Sequence, residues 1–243
     1  MPWRSNTSVS SRAGSPPDVG VVIVAAGSGE RAGPGGPKQF RTIGGVPMLL
    51  RALRPFLARS DVGKVVVTLP SGVAQQPPHW LADLLGERVT GVNGGDTRAA
   101  SVRAGLAVLG EWPAVVLVHD AARPFVDAAT IAAVIDRARS GVGAVAAVPV
   151  GDTVKDVDDD GRVARTVPRG RLWRAQTPQG FPGAMLVAGY SRWPADAPAP
   201  TDDAEALARA GFPVEVVPGS AFNLKVTTEE DWRLAEALAR ELG

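Results

Sequence analysis

Residues 19–26 read VGVVIVAA, and residues 27–40, which follow directly, read GSGERAGPGGPKQF. The first stretch is continuously apolar, which is typical of a strand buried on both faces of a parallel sheet. The second is rich in glycine, which lets backbone N–H groups approach phosphate oxygens closely. Because ligands bind beyond the carboxyl ends of parallel strands, this strand and loop predict an α/β fold with a phosphate site at the loop.

Two common phosphate motifs do not fit this loop. Residues 27–32 have the G-x-G-x-x-A spacing of the dinucleotide fingerprint, but that motif continues as a helix, which Pro34 and Pro37 interrupt. The fingerprint also needs an acidic residue about 20 positions later. Residues 31–60 contain no Asp or Glu. A Walker A loop needs Gly-Lys-Ser/Thr, whereas residues 37–39 read Pro-Lys-Gln.

The segment from residue 31 to residue 60 instead carries six basic side chains and no acid. Such a segment suits a triphosphate, whose charge must be stabilised while its phosphorus is attacked. The six are Arg31, Lys38, Arg41, Arg51, Arg54 and Arg59. Lys38 stands out because the chain has 22 arginines but only four lysines, and lysine supplies a compact point charge.

The rest of the chain alternates apolar runs with amphipathic stretches. Further strands are predicted at residues 62–69, 114–119, 144–150 and 214–218. Helices are predicted at residues 47–60, 96–109, 128–140 and 182–192 and from Thr228 onward. This alternation indicates one α/β domain, in which helices cover both faces of a mostly parallel sheet.

The two ends of the chain differ. Residues 1–18 are rich in Ser and Pro without an apolar run, and we predict a disordered N-terminal extension before a domain at residues 19–243. In the last helix, Thr228 and Asp231 have capping-box spacing ahead of three apolar positions, Leu234, Leu238 and Leu242.

Residues 151–174, GDTVKDVDDDGRVARTVPRGRLWR, interrupt the alternation. Asp159-Asp160-Gly161 predicts a hairpin turn between two short extended runs. The hairpin has little apolar surface, and isolated hairpins are only marginally stable. It is either a mobile surface flap or an arm that packs on another chain, and we favour the arm.

Composition excludes several classes of protein. With 26 basic and 25 acidic residues, the chain is not predicted to bind nucleic acid. The absence of cysteine rules out disulfides and thiolate zinc sites, so any metal is expected to be a hard cation held by carboxylates and phosphates. No apolar run is long enough for a membrane span or a secretory signal, which predicts a cytoplasmic protein.

Six motifs then occur in order along the chain. They are AAGSGERAGPGGPKQF at residues 25–40, GGDTRAASV at 94–102, HDAARPF at 119–125, DTVK at 152–155, TPQGF at 177–181 and NLKVT at 223–227. Together they resemble the 2-C-methyl-D-erythritol 4-phosphate cytidylyltransferases, from Val19 to the C-terminus. The resemblance implies a single-domain Rossmann-like nucleotidyltransferase fold and a homodimer whose hairpin arms embrace.

The resemblance also implies a reaction. CTP and methylerythritol phosphate give the CDP-linked alcohol and pyrophosphate, with Mg²⁺ as cofactor. The substrate's phosphate oxygen attacks the α-phosphorus of CTP in line, without a covalent enzyme intermediate. Catalysis then rests on positioning and electrostatics.

Roles for individual residues follow from the same resemblance. Arg31 and Lys38 match the pair that stabilises the transition state, Lys225 matches the lysine that positions the attacking phosphate, and Arg169 matches a catalytic residue on the arm. Residues matching CTP contacts are Ala25, Ala26, Gly27, Gly29, Gly94, Gly95, Asp96, Ser101, Asp120 and Ala121. Residues matching contacts to methylerythritol phosphate are Arg123, Asp152, Thr153, Arg169, Thr177 and Lys225.

Two further expectations concern the metal and the dimer. Asp120 is the residue expected near Mg²⁺, directly or through water or phosphate. Arg169 and Thr177 are expected to complete the neighbouring subunit's site.

Several alternatives stay open at this point. Asp96 and Asp120 could instead cap helices, and His119 is interpreted as a buried structural residue rather than a catalyst. Ribitol-5-phosphate cytidylyltransferase shares the fold and the chemistry, although Ala122 and the pair at residues 172–173, Leu-Trp, favour the methylerythritol branch. A catalytically silent nucleotide sensor is the other alternative, and the retained cationic residues disfavour it.

Overall fold

A computed structural model describes residues 16–27, 37–194 and 196–242. Residues 1–15 of the predicted extension lie outside the described residues, as do Gly29 and Arg31 of the glycine-rich loop. Asp18, which we predicted to lie in the extension, instead belongs to the domain. Its carboxylate accepts a hydrogen bond from Arg139 Nε at 3.0 Å, and its carbonyl accepts one from the Val115 N–H at 3.2 Å.

Strands and helices alternate through the described chain. The strands are β1 (Val19–Val24), β2 (Thr42–Ile43), β3 (Val46–Pro47), β4 (Val62–Leu69), β5 (Val89–Asn93), β6 (Val115–Asp120), β7 (Gly143–Pro149), β8 (Val154–Val157), β9 (Val163–Val167), β10 (Trp173–Pro182) and β11 (Val214–Pro218). The helices are α1 (Met48–Leu57), α2 (His79–Ala82), α3 (Arg98–Leu109), α4 (Ala128–Arg139), α5 (Gly183–Ser191), α6 (Asp203–Arg209) and α7 (Glu229–Leu242). A 3₁₀ turn spans Lys38–Phe40.

Seven strands form one sheet in the order β11-β7-β10-β6-β1-β4-β5. β1 lies between β4 and β6 and is parallel to both, while β10 runs antiparallel to β6 and β7. The mostly parallel sheet is therefore confirmed. β10 was not predicted as a strand because its buried residues include polar ones, Gln176, Thr177 and Gln179.

Helices cover both faces of the sheet, as predicted. Val21 and Ile23 of β1 belong to a buried apolar cluster with α1 and α4, whereas Val22 belongs to a second cluster with α3, α5 and α6. Successive side chains of a strand point to opposite faces, so one strand contributes to both cores. No helix in the described part of the chain has both the length and the apolarity needed to cross a bilayer.

The last helix, α7, begins with the predicted capping box and buries a tryptophan and two alanines. The Asp231 N–H donates to Thr228 Oγ1 at 3.2 Å, and Asp231 Oδ2 accepts from the Thr228 N–H at 2.9 Å, which is a capping box. Of its apolar residues, Leu234 and Leu242 are exposed, whereas Trp232, Ala235 and Ala239 are buried. These alanines let α7 lie close to the β2–β3 hairpin, where Ala239 abuts Gly44.

β8 and β9 form the predicted hairpin as a separate two-stranded sheet. Asp158 and Arg162 close its turn through a backbone hydrogen bond of 3.0 Å, and Gly161 has a φ of +77°, which favours glycine. Val157 and Val163 are exposed on it, 53% and 60% respectively.

Candidate active site

The loops that leave three neighbouring strands meet at the carboxyl edge of the sheet. Val24, the last residue of β1, lies opposite Thr68 of β4 and Asp120 of β6. The Ala25 N–H donates to the Thr68 carbonyl at 2.9 Å, and the Ala121 N–H donates to the Val24 carbonyl at 3.0 Å. These bonds place the predicted CTP residues Ala25, Asp120 and Ala121 at one edge, as expected for a parallel sheet.

The turn before α3 packs directly against the loop after β1. A Cβ atom at Gly94 would lie 2.3 Å from Ala26 Cβ and 2.7 Å from Ser101 Oγ, so only glycine fits there. The Gly95 N–H donates to Ser101 Oγ at 3.2 Å. Asp96 is exposed at this turn and does not cap α3, because Thr97 is the N-cap and accepts from the Ala100 N–H.

Gln39 ties the 3₁₀ turn to the loop after β1. Its buried amide Nε2 donates to the Ala25 carbonyl at 2.6 Å and to the Gly27 carbonyl at 3.3 Å. The neighbouring Lys38 Nζ donates to the Val226 carbonyl at 3.1 Å, so its amine lies beside the segment that carries Lys225. Sequence reasoning missed Gln39, although it follows Lys38 directly in the first motif.

Asp120 is the centre of a charged cluster. Its Oδ2 accepts from Lys225 Nζ at 2.7 Å, and its Oδ1 accepts from Arg98 Nε at 3.1 Å. Burial raises the pKa of this carboxyl, but the charges of Arg98 and Lys225 outweigh burial and lower the pKa well below its usual range. Asp120 is thus ionised at neutral pH, and it caps no helix, because α4 is capped by Asp127.

His119 and Thr177 hold Asp120 in place through its backbone. His119 Nε2 lies 3.0 Å from the Arg123 carbonyl, which can only accept, so Nε2 carries the proton and Nδ1 accepts from Thr177 Oγ1 at 3.0 Å. The same hydroxyl oxygen accepts from the Asp120 N–H at 3.0 Å. His119 is fully buried, in agreement with its predicted structural role. Thr177, expected to serve the neighbouring subunit, lies in this chain's own cluster instead.

Burial also makes His119 a source of pH dependence. Burial lowers the pKa of His119 from 6.5 to about 4, so the unfolded chain takes up a proton that the folded chain does not. This contribution to stability is therefore present above pH 6.5 and is lost as the pH falls toward 4. We expect the free energy of unfolding to fall by about 2 kcal/mol between pH 7 and pH 5.

Denaturant titrations at several pH values measure this change. His119→Gln, whose Nε2 can still donate to the Arg123 carbonyl, should flatten the dependence, while His79→Gln at the exposed histidine should leave it intact. An unchanged slope in His119→Gln would contradict the assignment.

A cavity of about 190 Å³ opens beside Asp120. Three cationic side chains line it, together with six polar or acidic ones and Ala175. The cationic ones are Arg98, Arg123 and Lys225, and the others are Asp120, Gln176, Thr177, Gln179, Thr201 and Asp202. A larger cavity of about 750 Å³ lies between α3 and α5, but none of the residues predicted to contact a substrate lines it. The smaller cavity is the candidate site because four predicted residues line it, namely Asp120, Arg123, Thr177 and Lys225.

Arg123 enters this cavity from the loop after β6. Its Nη1 donates to the Asn223 carbonyl at 2.8 Å and its Nη2 donates to the Ala175 carbonyl at 3.3 Å. Its Nε is buried without a hydrogen-bond partner, and burial lowers the pKa of the guanidinium. A partly buried cation whose hydrogen bonds go only to neutral carbonyls is suited to an anionic ligand.

Three predicted residues lie away from the cavity, at the base of the hairpin. Asp152, Thr153 and Arg169 are exposed, and the Arg169 guanidinium donates to the Gly151 carbonyl. Six residues that line the cavity were not predicted from the sequence: Arg98, Ala175, Gln176, Gln179, Thr201 and Asp202. Arg98 had a signal, since a cation in the first turn of a helix opposes the helix dipole and needs an anionic partner.

A metal ion would find few protein ligands here. In residues 16–27, 37–194 and 196–242, no three His, Asp or Glu side chains gather into a metal-binding group. Mg²⁺ commonly binds through one or two carboxylates and substrate phosphates, so a single ionised carboxylate at Asp120 fits it.

The mostly parallel sheet, with Ala25, Ala26 and a cationic cavity at its carboxyl edge, is typical of an α/β nucleotidyltransferase. The family model described as IspD, 2-C-methyl-D-erythritol 4-phosphate cytidylyltransferase, matches residues 19–241. The chain belongs to this family.

Individual relatives agree with this placement. The 2-C-methyl-D-erythritol 4-phosphate cytidylyltransferase of Syntrophus aciditrophicus is 38% identical over 93% of this chain and 97% of that protein. The bifunctional enzyme IspD/IspF of Caulobacter vibrioides is 45% identical over 90% of this chain, which spans 56% of that protein's length. The crystal structure of the 2-C-methyl-D-erythritol 4-phosphate cytidylyltransferase from Thermus thermophilus matches with a TM-score of 0.75 and 36% identity, covering 90% of this chain and 98% of that one.

Proposed function

We propose that this chain transfers the cytidylyl group of CTP to 2-C-methyl-D-erythritol 4-phosphate and releases pyrophosphate, in isoprenoid precursor synthesis. The observation that carries the proposal is the cavity in which Arg123 and Lys225 lie at the same sheet edge as the loop after β1. Two cationic side chains suit a substrate phosphate. Membership of the family identifies the substrate that carries this phosphate as methylerythritol phosphate.

The proposed reaction divides the site into two sides. The turn at residues 94–101 reads the cytosine, and the loop after β1 holds the triphosphate with Lys38. Arg123 and Lys225 hold the phosphate of methylerythritol phosphate. An oxygen of that phosphate bonds to the α-phosphorus of CTP, and the bond from this phosphorus to the bridging oxygen breaks, so pyrophosphate leaves with the electron pair.

No general base is needed for this step. A phosphate monoester has a second pKa of about 6, so the attacking oxygen is already ionised at neutral pH. His119 is neutral at that pH and has no exposed surface, which agrees with a reaction that makes no use of it. Cationic side chains that stabilise charge on the reacting phosphorus supply the catalysis.

Mg²⁺ is part of the proposal. Asp120 would hold it together with triphosphate oxygens, and the ion would neutralise charge on the leaving pyrophosphate. Lys225 occupies Asp120 Oδ2 at 2.7 Å, and it releases that oxygen when it turns to the substrate phosphate.

We also propose a homodimer in which Asp152, Thr153 and Arg169 contribute to the neighbouring subunit's site. All three are exposed at the base of the hairpin rather than in the cavity of their own chain. Val157, Val163 and Trp173 present exposed apolar surface on and beside the same hairpin, which another chain could bury.

The direct test incubates the protein with CTP, MgCl₂ and methylerythritol phosphate. We expect equal amounts of pyrophosphate and the cytidine diphosphate alcohol. CTP binding without any turnover would favour the nucleotide-sensor alternative and contradict the proposal.

A further inference from the structure

A network of polar side chains extends from Asp120, at the carboxyl edge of the sheet, through Arg98 to helices α5 and α6. Arg98 Nε donates to Asp120 Oδ1 at 3.1 Å, and Arg98 Nη2 donates to Asp203 Oδ2 at 2.8 Å. Tyr190 Oη donates to Asp203 Oδ1 at 2.6 Å. Four elements therefore meet in one network, since these residues come from α3, β6, α6 and α5.

The outer pair of this network is buried. Asp203 has no exposed surface, and Tyr190, the only tyrosine of the chain, is 4% exposed. Burial and the charge of Asp203 raise the pKa of Tyr190, so its hydroxyl stays protonated and donates. Asp203 accepts hydrogen bonds from two donors, Arg98 Nη2 and Tyr190 Oη.

Arg98 divides its hydrogen bonds between two carboxylates, and this division indicates a role for the pair Asp203 and Tyr190. An arginine side chain prefers to bind one carboxylate through two parallel hydrogen bonds. Here Arg98 gives one nitrogen to Asp120 and another to Asp203, so it occupies only Asp120 Oδ1. Asp120 Oδ2 is left to Lys225 at 2.7 Å.

We propose that Asp203 and Tyr190 are positioning residues, which hold Arg98 away from Asp120 Oδ2 and so let that oxygen hold Lys225 in place until the amine turns to the substrate phosphate. Without the charge of Asp203, Arg98 turns both nitrogens to Asp120 and displaces Lys225. The inference rests on the proposed function, because it assigns the consequence to the lysine that positions the attacking phosphate.

Asp203→Asn tests this in a double-mutant cycle with Lys225→Ala. The variant keeps the side-chain volume, and the start of α6 stays fixed by the Asp202 cap and by the Asp203 N–H, which donates to Gln179 Oε1 at 3.1 Å. We expect Asp203→Asn alone to lower kcat about 10-fold with the KM for CTP within about 3-fold. In the Lys225→Ala background it should lower kcat less than about 2-fold, because the group it serves is gone.

A purely structural role predicts a different pattern. Independent effects would multiply in the double variant, and that result would overturn the proposal. Tyr190→Phe, which removes only the hydroxyl donor, gives a second cycle if Asp203→Asn fails to fold. Thr130→Val is the matched control, since it removes a buried hydroxyl that bonds Asp127 on α4, and its effect should multiply with that of Lys225→Ala.

A structural measurement separates this inference from the proposed function. In a crystal structure of Asp203→Asn we expect two Arg98 nitrogens on Asp120 and Lys225 Nζ displaced from Oδ2. An unmoved Arg98 would overturn the inference even if the enzyme transfers cytidylyl groups. Absence of turnover in the wild-type protein would overturn the proposed function, but the position of Arg98 in the Asp203→Asn crystal structure would still test this inference.

Discussion

Replacing Lys225 with alanine is expected to lower kcat/KM for methylerythritol phosphate by about 10²–10³-fold. The amine lies 2.7 Å from Asp120 Oδ2 in the cavity that Arg123 also lines, so it can pass from this carboxylate to a substrate phosphate. Removing it takes away a cation from the attacking group and leaves Asp120 with Arg98 alone. The KM for CTP should change little, because the cytosine turn is not touched.

The measurement is steady-state pyrophosphate release with each substrate varied in turn. Lys64→Ala is the control, since Lys64 lies near the start of β4, at the opposite end of the strand from the site, and donates to the Val108 carbonyl at 3.3 Å. Its activity should stay within about twofold of the wild type. A Lys225→Ala variant as active as Lys64→Ala would exclude Lys225 from the mechanism.

Lys38→Ala and Arg169→Ala are each expected to lower turnover by at least about 10²-fold, yet a mixture of the two proteins should recover activity. The reason is geometric. Lys38 donates to Val226 within its own chain's site, whereas Arg169 is exposed on the arm. If Arg169 serves the neighbouring subunit, one of the two sites in a mixed dimer holds both wild-type groups.

Random mixing in equal amounts makes half of the dimers mixed, so the activity should recover to about a quarter of the wild-type value. Mixing Lys38→Ala with Lys225→Ala is the control and should recover nothing, because both lysines belong to the same chain's site. Mixed dimers that form but remain inactive would show that Arg169 does not act across the interface.

Local patterns predicted most of the long elements whose burial is apolar, although β5 and α6 were not predicted. The strand at residues 62–69 has the predicted bounds. A largely apolar run of this length is typical of a strand that a parallel sheet buries on both faces. β10 escaped prediction because Gln176, Thr177 and Gln179 are buried through hydrogen bonds to distant residues rather than through apolar contacts. No local pattern encodes such partners.

The candidate site likewise contains residues that the sequence predicted and residues that it did not. Asp120 and Lys225 were found because each lies in a recognisable motif at the end of an element. The Arg98–Asp203–Tyr190 network was not found, because its members lie on three helices and only the tertiary fold brings them together. The buried face of α7 was not predicted either, since it consists largely of alanines that pack closely rather than of its leucines.

The most direct test of the account supplies the protein with CTP and MgCl₂ and compares two acceptors, methylerythritol phosphate and ribitol 5-phosphate, by pyrophosphate release. Both carry the phosphate that Arg123 and Lys225 would hold, so the comparison isolates recognition of the polyol. We predict rapid release with methylerythritol phosphate and at most slow release with ribitol 5-phosphate. Turnover of ribitol 5-phosphate without turnover of methylerythritol phosphate would contradict the account.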